Sequence, residues 1–274
     1  MSVLKALARN WLPPVLVRWF RQVRSGGVRF ENDFANWEEA NSHCTGYNAE
    51  EILAKVLAST LKVKNGEAAF ERDSVLFDQI EYAWPVLAGL MWAAARSGGN
   101  LSVLDFGGAL GSGYFQNRKF LQSLQDVYWS VVEQPHYAEA GQQYIQHERL
   151  RFYKTIAECL SENQPNVILL SSALQYLPDP FGMLNKLGAV NADVLILDRT
   201  SFSISGDNDT IRLQHVPENI YKATYPCHVF NEGKLCQYIS DMGYDLIEAY
   251  GSLDNFDPDT CWRGHIFLRR ANGR

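Results

Sequence analysis

The sequence predicts an α/β fold with a mostly parallel seven-stranded sheet, a C-terminal antiparallel hairpin and an N-terminal helical extension. From residue 101 onwards, short apolar runs alternate with helical segments, which is typical of a parallel sheet. The fourth of these runs, 166–172, is apolar almost throughout, as a strand buried on both faces requires. At the C-terminal end, no helix fits between strands 244–250 and 265–268, so we expect them to pair antiparallel.

The chain of 274 residues is long enough for one large α/β domain with an extension. We expect a basic amphipathic arm over 1–30, a helical region over 31–100 and an α/β domain over 101–274. A polar stretch at 200–229 interrupts the α/β rhythm and predicts a loop insertion or hairpin over the site.

The composition excludes several classes of protein. Hydrophobic residues make up 46% of the chain, which indicates a filled core, and the net charge of −6 argues against a nucleic-acid partner. Five cysteines without a C-x-x-C pair suggest neither a disulfide framework nor a zinc site, so we expect a reducing cytoplasm and no bound metal. No apolar run reaches 18 residues, so no membrane-spanning helix is expected.

The arm has a charge pattern of its own. It holds six Lys and Arg residues before the first acidic residue, Glu31, with Trp11, Trp19 and Phe20 among them. A basic and aromatic segment of this kind can lie on the anionic inner face of a membrane. A solvated arm, or one packed on the domain, is the alternative.

Two helices are predicted between the arm and the first strand of the domain. Asn48 followed by Glu51 is an N-cap pattern, and the apolar residues after it recur on one helical face. A second helix is predicted to begin near Asp73 or Ser74, to be kinked by Pro85 and to end before Ser97.

The most informative stretch is Leu101-Ser102-Val103-Leu104-Asp105-Phe106-Gly107-Gly108-Ala109-Leu110-Gly111-Ser112-Gly113. It predicts a buried strand, an acidic residue, a glycine-rich turn and then a helix over 115–124. Glycine lets the backbone approach a ligand closely, and the amides of a helix N-terminus are unpaired. In an open α/β sheet, a turn at this place binds a nucleotide-like ligand.

The spacing of the glycines separates three types of cofactor site. The dinucleotide fingerprint fails in every frame, and a P-loop started at Gly108 has Tyr114 where its lysine belongs. The remaining pattern, hydrophobic-Asp-x-Gly-x-x-x-Gly, resembles motif I of the class I S-adenosylmethionine-dependent methyltransferases. Ala109 stands where that motif usually has its middle glycine. The resemblance implies cofactor contacts from Asp105, Gly107, Gly108 and Gly111; a glycine-rich turn without a ligand is the alternative.

Later strand ends complete the predicted cofactor site. Glu133 and Gln134 follow the second strand, 128–132, where a carboxylate can accept hydrogen bonds from both ribose hydroxyls. Ile156 follows the third strand, 150–153, and is predicted to lie near an adenine ring. Ser171 and Ser172 end the fourth strand, and the Leu177-Pro178-Asp179-Pro180 segment after them resembles the one that borders the methionine part of S-adenosylmethionine.

Five residues are candidates for catalysis. Removing a proton from a hydroxyl acceptor usually needs a base or a metal. Asp198 and Arg199 follow the fifth strand, 192–197, and Arg199 could bind an anionic group of the substrate. The other three candidates lie in the insertion: His215, Tyr225 and His228. The two histidines have a suitable ordinary pKa for a base.

Over residues 30 to 250 the chain resembles a little-characterised bacterial group of methyltransferases, often encoded among surface-polysaccharide genes. The segments that carry this resemblance include Trp37-Glu38-Glu39-Ala40, Glu71-Arg72-Asp73-Ser74, Val131-Val132-Glu133-Gln134-Pro135 and Asp198-Arg199-Thr200. The resemblance implies S-adenosylmethionine as cofactor and a small-molecule or glycan acceptor. Two other classes stay open: a non-catalytic binding or assembly protein, for which Ala109 is the best argument, and a nicotinamide-using sugar enzyme.

Overall fold

The structure is a computed structural model, and it describes residues 29–44, 49–72, 74–205, 208–216, 223–252 and 259–271. The predicted basic arm lies outside these ranges except for its last two residues, Arg29 and Phe30, which begin a strand. The predicted N-cap Asn48 also lies outside them. Within the described ranges, the helices are all too short or too polar to cross a membrane.

Twelve strands are described, and their bounds are as follows: β1 Arg29–Phe34, β2 Phe70–Arg72, β3 Val75–Phe77, β4 Asn100–Phe106, β5 Asp126–Val132, β6 Leu150–Tyr153, β7 Val167–Ser171, β8 Val194–Ser203, β9 Thr210–Val216, β10 Ala223–Val229, β11 Tyr244–Gly251 and β12 Thr260–Arg269.

Eight α-helices are described: α1 Trp37–Ser42, α2 Ala49–Lys64, α3 Trp84–Arg96, α4 Ser112–Leu121, α5 Pro135–Ala140, α6 Ile156–Glu162, α7 Pro180–Gly188 and α8 Glu232–Asp241. A short π-helical turn follows α5, and a 3₁₀ turn precedes α7.

The main sheet has seven strands in the order β11-β12-β8-β7-β4-β5-β6. The strands β4 to β8 run parallel, and β12 pairs antiparallel with both β8 and β11. From β4 the chain adds β5 and β6 on one side and then returns to add β7 and β8 on the other. This order, with one antiparallel strand near the C-terminal edge, confirms the predicted Rossmann-like class I methyltransferase fold.

Successive side chains of the central strands point to opposite faces of the sheet, as a strand requires. Val103 therefore packs into one buried apolar cluster and Leu104 into another. Helices α2, α3 and α4 cover the first cluster, and α7 and α8 cover the second. Both faces of the sheet are thus buried, which explains why its strands are almost continuously apolar.

The prediction of a helix from Asp73 or Ser74 was wrong. Asp73 lies outside the described residues, and Ser74 has a φ of +67°, which belongs to a turn. Strands β2 and β3 form a hairpin around that turn, and α3 begins only at Trp84. Pro85 therefore lies in the first turn of α3, where its missing N–H leaves no helical hydrogen bond unmade, and it does not kink the helix.

The 200–229 segment forms a hairpin rather than an irregular loop. Strand β8 continues past the predicted end at residue 197 to Ser203, because β12 pairs with it along this length. Strands β9 and β10 then pair antiparallel, and β1 adds to the free edge of β9. Region 31–100 is therefore not wholly helical, because most of β1 lies within it and forms part of this small sheet.

Candidate active site

A cavity of about 310 Å³ lies at the carboxyl ends of β4 and β7 and beside the middle of β8. Strands β4 and β7 are neighbours at the place where the strand order reverses, which is where open α/β sheets bind their ligands. The floor of the cavity comes from the turn after β4, the end of β7 and the middle of β8. Its roof comes from α2, the β2–β3 hairpin and the segment that leads into α3.

The turn after β4 packs on the carboxylate of Asp105, which is only 2% exposed. Asp105 Oδ2 accepts a hydrogen bond of 2.9 Å from Trp129 Nε1. A Cβ at position 108 would overlap this carboxylate, so steric packing by itself requires glycine at this position. At position 107, where φ is +73°, a Cβ would lie 2.8 Å from the Cβ of Ala173. Both glycines line the cavity, so no side chain separates their backbone from it.

The charge of Asp105 depends on pH near neutrality. Burial raises its pKa to about 7, the hydrogen bond from Trp129 opposes the rise, and the charge of Glu133 adds to it. A cationic ligand in the cavity would favour the ionised form.

Glu133 reaches back from the end of β5 to the same turn. Its Oε1 accepts the N–H of Ala109 at 3.2 Å, and its Oε2 accepts the N–H of Gln134 at 2.7 Å. Burial raises the pKa of Glu133, and these two amides oppose the rise. A carboxylate has about four acceptor positions, so capacity remains for two hydroxyl donors such as those of a ribose.

Three non-glycine residues in or next to the cavity lining have a left-handed backbone conformation. They are Ala109 with φ +49°, Ser172 with φ +56° and Arg199 with φ +51°. Such a conformation costs an L-residue about 1–2 kcal/mol, and it persists only where the surroundings enforce it. Gln175, which is completely buried, supplies part of this enforcement: its Nε2 donates to Ser172 Oγ at 3.3 Å and to the carbonyl of Arg199 at 3.0 Å.

Asp198 joins three strands in the floor of the cavity. Its Oδ2 accepts a hydrogen bond from Ser171 Oγ at 2.6 Å, and its Oδ1 accepts one from the hydroxyl of Tyr250 at 3.1 Å. Burial and the charge of Asp198 raise the pKa of Tyr250, so the phenol stays protonated and remains a donor. All three residues line the cavity.

The roof contributes a further buried carboxylate. Glu71 in β2 is 1% exposed and accepts a hydrogen bond from Ser112 Oγ at the start of α4. One helical turn further on, Gln116 Nε2 donates to the carbonyl of Glu81. These two contacts fasten the roof to the helix that follows the glycine-rich turn.

No family model and no curated protein matches this chain. Among solved structures it is similar to a 1,6-didemethyltoxoflavin-N1-methyltransferase from Burkholderia thailandensis, with 15% identity and a TM-score of 0.40 over 83% of this chain and 92% of that one. It is also similar to magnesium protoporphyrin IX methyltransferase from Synechocystis PCC 6803, with 16% identity and a TM-score of 0.44 over 79% and 97% of the two chains. A third similar structure is the N-terminal domain of EvdMO1, with 12% identity and a TM-score of 0.47 over 82% and 98%.

The first of these structures has bound S-adenosylhomocysteine and the second has bound S-adenosylmethionine. The third was obtained in the presence of S-adenosylhomocysteine and D-fucose. At such low identity and TM-scores, the function proposed below depends on the residues of this chain alone.

Of the fourteen residues predicted for the site, six line the cavity, and Glu133 is not among them. Those that line the cavity are Asp105, Gly107, Gly108, Ser171, Asp198 and Arg199. Gly111 is the N-cap of α4 and has a φ of +87°. Ser172 follows Ser171, the last residue of β7, in the chain. Gln134 is exposed at the N-cap of α5, and Ile156, the first residue of α6, packs against an apolar cluster.

The other three catalytic candidates lie in the small sheet, apart from the residues that line the cavity. His215 Nε2 is 2.8 Å from Glu31 Oε2, and the ring of Tyr225 meets that of Tyr176 edge-on at 5.2 Å. The ring of His228 is stacked between two aromatic rings, and burial lowers its pKa. A catalytic role for these three residues stays a prediction.

Sequence reasoning missed several residues that line the cavity: Glu71, Glu81, Tyr82, Trp84, Ser112, Gln116 and Tyr250. Ser112 belongs to the glycine-rich stretch and Glu71 to a segment that carries the family resemblance, but no sequence pattern indicated the other five. In the part of the chain that the structure describes, no group of three or more His, Cys, Asp and Glu side chains is arranged to hold a metal ion.

Proposed function

We propose that this chain is an S-adenosylmethionine-dependent methyltransferase with a small-molecule or glycan acceptor. The observation that carries the proposal is the turn of Gly107 and Gly108, packed on the buried carboxylate of Asp105 below a cavity at the switch point of the sheet. The choice of a glycan rather than another small molecule depends only on the resemblance to methyltransferases encoded among surface-polysaccharide genes.

The residues around the cavity fit this cofactor. Four carboxyl groups line the cavity, and only two guanidinium groups, those of Arg72 and Arg199, oppose them. S-Adenosylmethionine carries a sulfonium and an ammonium group, so the excess of acidic groups suits it. Asp105 and the turn amides would hold its amino acid part. Glu133 lies outside the cavity lining, but it accepts the N–H of Ala109, which belongs to that lining, and it would hold the ribose hydroxyls. A volume of about 310 Å³ is at the lower end of the usual range for ligand pockets.

Within this proposal, the chain supplies orientation and proton removal. Bound in the cavity, the cofactor would supply a methyl group activated by the sulfonium. An in-line displacement depends on holding the acceptor atom in line with that methyl group. Asp198 is the proposed base for a hydroxyl acceptor, with Ser171 and Tyr250 fixing its position. Arg199, next to it, would bind an anionic group of the acceptor.

The nicotinamide alternative fits the structure less well. Dinucleotide-binding sheets use the parallel order 3-2-1-4-5-6 and the G-x-G-x-x-G turn, whereas this chain has antiparallel β12 in its sheet and lacks that turn. The non-catalytic alternative retains one supporting observation, the left-handed alanine at position 109.

Calorimetric titration of the protein with S-adenosylmethionine, S-adenosylhomocysteine and NAD tests the proposal. We expect the first two to bind with a Kd on the order of micromolar, about −8 kcal/mol, and NAD not to bind. Gly108→Ala should abolish binding, because the new Cβ displaces the Asp105 carboxylate. Gly233→Ala, in α8 and with only one contact at 3.4 Å, is the matched control and should bind like the wild type. Binding of NAD alone, or of none of the three, would overturn the proposal.

A further inference from the structure

An aromatic pair forms part of the rim of the cavity. The rings of Tyr82 and Trp84 lie 4.8 Å apart with 34° between their planes, and both side chains line the cavity. Phe120 of α4 meets each of them edge-on, at centroid distances of 5.3 and 5.8 Å. Trp84 is nevertheless 59% exposed, more than the exposed tyrosines Tyr128 and Tyr144.

The pair is held in place before any ligand arrives. Gln116 Nε2 fixes the carbonyl of Glu81, and Pro85 fixes the backbone on the other side of Trp84. The edge of Phe120 supports both rings from α4. A preorganised aromatic surface loses little conformational entropy when a ligand binds, which favours affinity.

The chemistry of this rim defines what it can bind. An aromatic face favours an offset or tilted ring with centroids 4.5–7 Å away, and the half-exposed indole leaves area available for one. Polar side chains that line the same cavity, among them Arg72, Glu81 and Gln116, can bond substituents at the edge of that ring. The matching ligand is a ring with a flat apolar face and a polar edge. A pyranoside and a planar phenol or heterocycle share this property.

We propose that Tyr82 and Trp84 form the acceptor subsite, and that the acceptor carries its methylated group on a ring that stacks on Trp84. The inference rests on the proposed function, since the ring is an acceptor only if the cofactor binds beneath it. The subsite itself is defined by ring binding, which can be measured without turnover.

Saturation-transfer NMR on the protein saturated with S-adenosylhomocysteine tests the subsite. One set of probes contains methyl pyranosides, and the other contains substituted phenols and purines. We expect one set to receive saturation from the wild type, to lose it with Trp84→Ala and to regain most of it with Trp84→Phe. Tyr128→Ala, which removes an exposed aromatic side chain of β5 outside the cavity lining, is the matched control and should behave like the wild type.

Titration of each variant with S-adenosylhomocysteine separates the two proposals. Unchanged cofactor affinity in Trp84→Ala, together with lost ring binding, supports the subsite. Ring binding that persists in Trp84→Ala, or that is absent from the wild type for both sets, overturns the subsite and leaves the methyltransferase proposal standing. Absence of cofactor binding overturns the proposed function, and ring binding that depends on Trp84 would then define a binding site rather than an acceptor site.

Discussion

The indole N–H of Trp129 donates a 2.9 Å hydrogen bond to the carboxylate of Asp105, from the middle of one parallel strand to the end of the next. Both residues are almost completely buried, at 1% and 2% exposure, so water competes little for this bond. The same indole lies 3.2 Å from the position that a Cβ on Gly113 would take, beside the start of α4. Trp129 therefore influences both the charge of the cavity and the shape of the turn.

Replacing Trp129 with Phe should raise the pKa of Asp105 further above about 7, because the hydrogen bond that favours the ionised form is lost. If the ionised carboxylate binds the cationic cofactor, the affinity for S-adenosylmethionine will rise with pH as Asp105 loses its proton. The pH midpoint of this rise will be higher in Trp129→Phe than in the wild type. Titrations across the pH range measure that midpoint. Trp262→Phe is the control, since Trp262 is also buried but lies outside the cavity lining. An equal shift in both variants would contradict the role assigned to Trp129.

Replacing Asp105 with Asn should stabilise the fold above neutral pH. The folded protein holds the pKa of Asp105 near 7, above its unfolded value, so the folded state binds the extra proton between these two values. Stability from this group is present at low pH and is lost as the pH rises through about 7. A rise of the Asp105 pKa from 3.8 to about 7 corresponds to about 4 kcal/mol of unfolding free energy. This is the upper limit of the stability that Asp105→Asn gains at about pH 8 relative to about pH 4.

Denaturant unfolding of the wild type and Asp105→Asn at several pH values measures this gain. The difference in unfolding free energy should increase with pH and level off above about 7, while cofactor binding is weakened. A difference in unfolding free energy that stays constant with pH would show that burial does not raise the pKa of Asp105 in the folded protein.

The strands were predictable because their physical signal is local. A strand buried on both faces must be apolar throughout, so the runs around Val103, Val131 and Ile168 could be recognised without tertiary information. The segment 74–87 was not predictable in the same way. The spacing of Val75, Leu76 and Ile80 is compatible with one helical face, but Ser74 in a left-handed turn sets up a hairpin there.

The candidate site likewise contains some residues that could be predicted from the sequence and others that could not. The residues that follow strands could be predicted from the sequence, since the carboxyl ends of parallel strands meet at one edge of the sheet. The roof and the floor contact of Tyr250 could not be predicted, because these contacts join distant positions. Glu71 and Ser112 are 41 residues apart, and Tyr250 and Asp198 are 52 apart. No periodicity in the sequence encodes such a pairing.

Replacing Gln175 with Ala should destabilise the fold by about 2 kcal/mol, because its buried amide loses the hydrogen bonds that it donates to Ser172 and to the part-buried carbonyl of Arg199. Gln164→Ala is the matched control: its amide also donates to a backbone carbonyl, that of Val190, but the side chain is exposed. The control should cost less than about 1 kcal/mol in unfolding free energy. Equal costs for both variants would mean that Gln175 does not enforce the left-handed conformation at Arg199.

Replacing Ala109 with Gly tests whether this residue impairs the cofactor site. Its φ of +49° costs an L-residue about 1–2 kcal/mol, and glycine restores somewhat less than this because it gains entropy in the unfolded chain. We expect the unfolding free energy to rise by up to about 1 kcal/mol, whereas Ala157→Gly, on the exposed side of α6, should lower it by about as much.

The effect of Ala109→Gly on the cofactor decides between a transferase and a binding protein that has lost its cofactor. In the wild type, the N–H of Ala109 already donates to Glu133 in the left-handed conformation, so glycine would leave the turn unchanged. Affinity for S-adenosylmethionine should therefore change by less than about tenfold, or 1.4 kcal/mol. Binding that appears only in the glycine variant would show instead that the alanine methyl closes the site, and it would favour the non-catalytic alternative.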